Sequence, residues 1–264
     1  MARTLITGCS SGFGRATAVE LKKRGHEVVA TARRPETLED LDVDARLQLD
    51  VTDDSSVAAA VAAAGRVDAL VNNAGIGIGG PVERVPLAEV RRLFETNVFG
   101  PLRMMQAVLP QMRERGRGTI VNLSSVSGRV AAPLSGFYAS SKFAVEAMSE
   151  ALHFEAEHFG IRTVLIEPGY FRTNISVAHV DHGVDTPPYD ELQEMVDRMT
   201  AKLGRDAAPG PEVVAGAIAD AIEADAPPLR IPVGSDADMV LAARASMNDA
   251  EFEAAMRATL DVDW

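Results

Sequence analysis

Thr7-Gly8-Cys9-Ser10-Ser11-Gly12-Phe13-Gly14 places three glycines within seven residues, near the start of a 264-residue chain. Arg3-Thr4-Leu5-Ile6 before it reads as a short strand, and the residues from Arg15 to Arg24 after it read as an amphipathic helix. A helix N-terminus presents unpaired N–H groups and partial positive charge, which suits a pyrophosphate. Glycines let the backbone turn sharply and approach such a ligand without a Cβ in the way. The spacing Gly8, Gly12, Gly14 is not G-x-G-x-x-G, so alone it says only that a phosphate-type ligand fits the first strand–helix turn.

Working outward, strand-like runs recur at Leu5–Thr7, Glu27–Thr31, Arg46–Leu49, Ala69–Asn72, Thr119–Leu123, Arg162–Ile166 and, more weakly, Leu229–Val233. Helical patterns near 13–24, 54–64, 87–115, 137–159 and 211–224 separate them. That alternation predicts an α/β protein: parallel strands joined by helical crossovers, with helices on both faces of the sheet. Ligands then bind beyond the carboxyl ends of the strands, where the glycine turn lies. Residues 170–210 break the pattern around one short helix, Asp190–Leu203, and read as a substrate lid rather than a second domain. The tail from Ser235 to Trp264 reads as one or two short helices, so residues 1–264 are expected to form a single domain.

Composition narrows the function. With 47% hydrophobic and 24% charged residues, the chain has the make-up of a soluble globular protein. A formal net charge of −12 disfavours nucleic acid as a partner. No window has the length of a membrane span, and the start lacks a signal-peptide pattern, so a cytoplasmic location is expected. The single cysteine, Cys9, excludes an intramolecular disulfide and reads as a small filler of the turn.

Further motifs follow in order: Asn72-Asn73-Ala74-Gly75 closing the fourth strand, Asn97-Val98-Phe99-Gly100 in the next helix, and Ser124-Ser125 ending the fifth strand. Tyr138-Ala139-Ser140-Ser141-Lys142 opens the long helix, and Pro168-Gly169 with Thr173 follows the sixth strand. Together they resemble the short-chain dehydrogenase/reductase family, in its compact single-domain branch, from Ala2 to about Arg230. The resemblance implies a Rossmann-type doubly wound sheet of about seven strands and a nicotinamide dinucleotide as cofactor. It also implies a homodimer or homotetramer, with the helix carrying Phe143, Ala147, Leu152 and Phe154 at the interface.

The chemistry can be argued from the residues themselves. Tyr138 and Lys142, four apart, share a helix face about 6 Å apart along the axis. A free phenol titrates near ~10, and a nearby ammonium favours the phenolate; reaching roughly 7 takes about 4 kcal/mol. So tuned, Tyr138 can give a proton to a carbonyl oxygen or take one from an alcohol. The resemblance casts Ser125 as the donor to the substrate oxygen, Ser124 being the other candidate. It casts Asn97 as support for a water relay to the lysine, and Lys142 also as a ligand of the nicotinamide ribose. An asparagine inside a helix is equally a buried hydrogen-bonding residue.

For the cofactor, an NAD site usually places an acid after the second strand. The resemblance puts Ala32 where that acid would be, and Arg33-Arg34 follow, a pair that suits a 2′-phosphate and favours NADP(H) over NAD(H). The resemblance assigns the remaining cofactor contacts to Gly8, Ser10, Ser11, Gly12, Phe13, Gly14, Asp50, Val51, Asn73, Ala74, Gly75, Pro168, Gly169 and Thr173. Val126, Pro133, Phe137, Ile175, Tyr189, Met195 and Met199 are expected around the reacting carbon, with Arg172 the one cation near it. Mostly apolar, they suit a hydrophobic ketone, aldehyde or secondary alcohol, steroid-like or long-chain. His179 and His182 lack a convincing third ligand, so no metal is expected. The rival reading is a non-catalytic NADP(H) sensor on the same fold. It would not need intact Ser125, Tyr138 and Lys142.

Overall fold

The computed structural model describes residues 1–173, 180–183, 187–202 and 208–261. Seven parallel strands form one sheet: β1 (Arg3–Ile6), β2 (Glu27–Ala32), β3 (Ala45–Gln48), β4 (Ala69–Asn72), β6 (Gly118–Leu123), β7 (Ile161–Pro168) and β9 (Arg230–Val233). Their spatial order is β3-β2-β1-β4-β6-β7-β9, so the chain reverses its direction of travel between β1 and β4. That reversal opens a crevice at the carboxyl end of β1, where the glycine turn leads into α1 (Gly12–Lys23).

Alternation along the strands builds the two faces. Ile6, Val28, Ala30, Val71, Val121 and Val164 point to one side and pack on Ala18 and Leu21 of α1 and on Val214, Ile218 and Ile222 of α7 (Glu212–Glu223). Their neighbours Leu5, Val29, Leu70 and Ile120 point to the other. There they meet Val57 and Ala60 of α2 (Asp54–Ala64), Met104, Val108 and Met112 of α4 (Gly100–Arg115), and Leu152 of α5 (Gly136–Ala156). Polar residues tie the layers as well. Asn72 donates to Asn122 at 2.8 Å, and Asn122 donates to Ser149 of α5 at 2.8 Å, joining β4, β6 and α5 in one chain of bonds.

The expected helix 87–115 is not uniform. α3 (Leu87–Phe94) passes through a π-helical turn, Glu95–Phe99, before α4 begins. Pro101 explains part of this: it has no N–H for the carbonyl four residues back, that of Asn97. A second, two-stranded sheet also lay beyond the sequence reading. β5 (Ile78–Gly79) pairs in parallel with β8 (Val180–Asp181), across a hundred residues of chain. α6 (Asp190–Lys202), α8 (Ser235–Ser246) and α9 (Asp249–Leu260) fall where helices were expected; Leu203 lies outside the described residues. No described helix is long and apolar enough to cross a membrane.

Candidate active site

The glycine turn is shaped by a clamp between β1 and β4. Thr7 Oγ1 accepts from the backbone N–H of Asn73 and of Ala74, both at 3.0 Å. In return, Asn73 Nδ2 donates to the carbonyls of Thr7 (2.9 Å) and Gly8 (3.0 Å). Gly8 and Gly12 take φ of +74° and +58°, the left-handed region that a side chain opposes. A Cβ on Gly14 would meet the Gly8 carbonyl oxygen at 2.5 Å and the Asn73 amide as well. Asn73, Ala74 and the three glycines therefore form one interlocked unit.

Around it stand groups without protein partners. Ser11 is the N-cap of α1 but makes no side-chain cap bond. Asp50 Oδ1 accepts from the Thr52 N–H (3.0 Å) and hydroxyl (2.7 Å), leaving Oδ2 without a partner among the described residues. Arg33 and Arg34 are exposed and form no ion pair among the described residues, while Ala32 is buried. A Cβ on Gly12 would lie 3.7 Å from Thr173 Cβ, so Thr173 faces the turn across the crevice. Phe13 packs edge-on against Phe171, their centroids 5.7 Å apart, and Val51 backs onto Gly100. Cys9 is fully buried, and burial pushes its thiol up to about 12, so it is inert in this turn.

The sequence favours Ser125 over its neighbour Ser124, and the structure gives the two different surroundings. Ser125 Oγ accepts from the Ser127 N–H at 3.1 Å, and the Ser125 side chain hydrogen-bonds the phenol of Tyr138. Ser124 is buried beside Gly128, whose Cβ would lie 2.5 Å from its hydroxyl, on the side of Glu146. Lys142, on the same helix face as Tyr138, donates to the Leu123 carbonyl at 2.7 Å, with its amine 5.8 Å from the Tyr138 ring centroid.

Electrostatics here run against one expectation. Burial pushes the Tyr138 phenol up to about 12, opposed only by the Ser125 hydrogen bond. Burial also pulls the Lys142 amine down to about 8, opposed by the negative charge of Glu146. The sequence argument counted the attraction between ammonium and phenolate and left out the desolvation of both. In the cofactor-free protein desolvation wins.

Asn97 sits in the π-helical turn, buried, with its side chain committed. Its Oδ1 accepts from Ile76 N–H (2.9 Å), while its Nδ2 donates to the Ile76 carbonyl (2.9 Å) and to Ser141 Oγ (3.2 Å). The amide thus pins the loop after β4 to α5, which corrects any picture of the amide itself turned toward Lys142. Gly169, expected beside the nicotinamide, is also a packing glycine. A Cβ there would collide with the Asp236 carboxylate, which accepts from Tyr170 N–H at 2.6 Å. Asp236 was missed in the sequence because a charge in the first turn of a helix reads as a solvated cap.

Of the substrate-side residues, Phe137 packs with Tyr138 on the cluster Ile78, Val85 and Leu93. The phenol of Tyr189 bonds Glu83, with the Arg84 guanidinium 5.0 Å from its ring centroid, and Met195 is buried. Ile175, His179 and the side chain of Met199 lie outside the described residues. Among the described residues no group of three or more His, Cys, Asp and Glu side chains is placed to hold a metal ion.

Comparison with known proteins follows this geometry. Residues 2–182 match the family model described as short chain dehydrogenase. The chain is 47% identical over 176 residues to 3-ketodihydrosphingosine reductase of Bacteroides thetaiotaomicron, a match covering 65% of this chain and 65% of that protein. It is 38% identical over 247 residues to human retinol dehydrogenase 8, covering 86% of this chain and 79% of that one. A short-chain dehydrogenase from Streptomyces avermitilis superposes with a TM-score of 0.84 at 37% identity over 100% of both chains. A short chain dehydrogenase of Burkholderia cenocepacia in complex with NADP gives 0.79 at 26% identity over 99% and 98% of the two chains. The 3-ketoacyl-(acyl-carrier-protein) reductase of Brucella melitensis complexed with NADH gives 0.75 at 27% over 89% and 97%.

Proposed function

The chain belongs to the short-chain dehydrogenase family and is an oxidoreductase, and from that premise we propose that it transfers hydride between NADP(H) and a hydrophobic ketone, aldehyde or secondary alcohol. The observation that carries this reading is the placement of the Lys142 amine 5.8 Å from the Tyr138 ring centroid, on the same helix face, with Ser125 beside them at the carboxyl end of β6.

The residues suit a dinucleotide. The left-handed glycines and the uncommitted Ser11 hydroxyl offer a cradle for a pyrophosphate, and Asp50 Oδ2 is open to an amino donor. Thr173 would hold the carboxamide side and Lys142 the ribose hydroxyls. The bound nicotinamide supplies or accepts the hydride. Tyr138 moves the proton at the substrate oxygen, and the Ser125 hydroxyl holds that oxygen and the charge developing on it. Held at about 12 in the cofactor-free protein, the phenol keeps its proton at neutral pH, the form that can donate to a carbonyl oxygen. Pro101 has no N–H to offer the Asn97 carbonyl four residues back, which supports that carbonyl, rather than the committed amide, as the group holding a water in the relay to Lys142.

Arg33 and Arg34, without an ion pair among the described residues and beside a buried Ala32, support NADP(H) over NAD(H). The relatives named as a 3-ketodihydrosphingosine reductase and a retinol dehydrogenase support a steroid-like or long-chain substrate. Phe143 and Phe154, 45% and 73% exposed and within about 20° of each other around α5, support a homo-oligomer through that face. Separate titrations with NADPH and NADH test the cofactor assignment. Arg33→Ala is expected to weaken NADPH about tenfold and to leave NADH unchanged. NADH binding as tightly as NADPH to the unaltered protein defeats the assignment. A panel of apolar ketones and long-chain alcohols, read by nicotinamide absorbance, locates the substrate class.

A further inference from the structure

Behind the reacting face lies a buried charge cluster that hydride transfer does not explain. Glu146 follows Lys142 by one helical turn on α5 and is only 5% exposed, while Glu167, near the end of β7, is 1% exposed. One nitrogen serves both: Arg230 Nε on β9 lies 2.9 Å from Glu146 Oε2 and 3.8 Å from Glu167 Oε1. Arg129, in the turn after Ser125, reaches Glu167 Oε1 at 3.4 Å, and Glu150 of α5 takes Arg230 Nη2 at 2.5 Å. Glu146 Oε1 is buried with no partner, as is the Ser124 hydroxyl. Gly128 lets the turn settle onto them, since its Cβ would lie 3.0 Å from Glu146 Cγ. Three carboxylates thus face two guanidiniums, and the charge of Glu146 also acts on the Lys142 amine one helical turn before it.

We propose that the paired carboxyl groups of Glu146 and Glu167 form a proton-holding site beneath the Ser125 turn, and that its charge sets the charge on the Lys142 amine. Two buried carboxylates sharing one guanidinium nitrogen resist being ionised together. Burial, then the charge of Glu146, pushes Glu167 up to about 7, against the pull of Arg129 and Arg230. Below that pH the pair keeps a proton and Lys142 has less opposing charge. Above it, the added negative charge holds the ammonium to higher pH. Coupling to proton transfer rests on the role proposed above for Tyr138 and Lys142, whereas the coupled ionisation itself does not. Glu146 and Glu167 act through Lys142 and are positioning residues.

The chain carries only four lysines, Lys22, Lys23, Lys142 and Lys202, so 13Cε-lysine NMR of the cofactor-free protein can follow one amine, assigned with Lys142→Met. The Lys142 signal is expected to move in two steps, near 7 and near 8. In Glu167→Gln, which keeps the shape, a single step remains, its midpoint lower by roughly half a pH unit or more; Glu146→Gln lowers the midpoint as well. A protonated-carboxyl infrared band is expected at about pH 6, gone by about pH 8, and missing from Glu167→Gln. A single step in the unaltered protein, or a midpoint unmoved in the variants, overturns the proposal. Should a variant fail to fold, the titration of the unaltered protein still decides. Loss of turnover in a Tyr138 variant bears on the catalytic reading alone, because this titration needs neither cofactor nor substrate.

Discussion

Tyr138→Phe is expected to lower kcat/KM for carbonyl reduction by about 10³-fold, roughly 4 kcal/mol of transition-state stabilisation, while NADPH affinity changes less than about twofold. The change deletes one oxygen. The ring stays packed with Phe137 on Ile78, Val85 and Leu93, so the start of α5 keeps its seat. What is lost is the proton donor and the partner of Ser125. Ser125→Ala removes the other half of that bond and is expected to cost less, since the phenol can still reach the substrate oxygen. The two losses should not add, because both groups serve one oxygen. Steady-state kinetics with NADPH and an apolar ketone measures all three proteins. Turnover by Tyr138→Phe equal to that of the unaltered enzyme would end the assignment of Tyr138 as the proton carrier.

Short apolar runs alternating with helical patterns made the sheet legible. Leu5 against Ile6, Val28 against Val29 and Leu70 against Val71 mark strands buried on both faces, and the glycine turn marked the crevice. The π-helical turn was hidden because Glu95-Thr96-Asn97-Val98-Phe99 continues the helical pattern of its flanks, and Pro101 was the only local signal. β5 and β8 are two residues each, too short for any periodicity to declare them. Nothing in the local sequence marks Glu146 as buried, because its partner Arg230 lies 84 residues later in the chain. The ionisation of Tyr138 went astray for a related reason. Spacing reveals which charge sits one turn away, but desolvation is set by everything packed around the pair.

Gly14→Ala is expected to weaken NADPH binding by at least about 100-fold, near 2.7 kcal/mol, in a protein that still folds. The added methyl has nowhere to go. On one side stands the Gly8 carbonyl oxygen, 2.5 Å from where the Cβ would sit, and on the other the Asn73 amide. Asn73 is itself held by Thr7, so the clash is relieved by moving the turn rather than a side chain. A turn displaced by a few tenths of an ångström no longer aims its N–H groups together, and those groups hold the pyrophosphate in the proposed site. Gly216→Ala is the matched control. Gly216 lies inside α7 with its nearest non-local atom 4.0 Å from the added carbon, so alanine there is expected to raise stability by about 0.5–1 kcal/mol and leave NADPH binding alone. Calorimetric titration with NADPH, alongside thermal unfolding, separates the two effects in each variant. Unaltered affinity in Gly14→Ala would mean that the cofactor does not rest on this turn, whatever the glycines suggest.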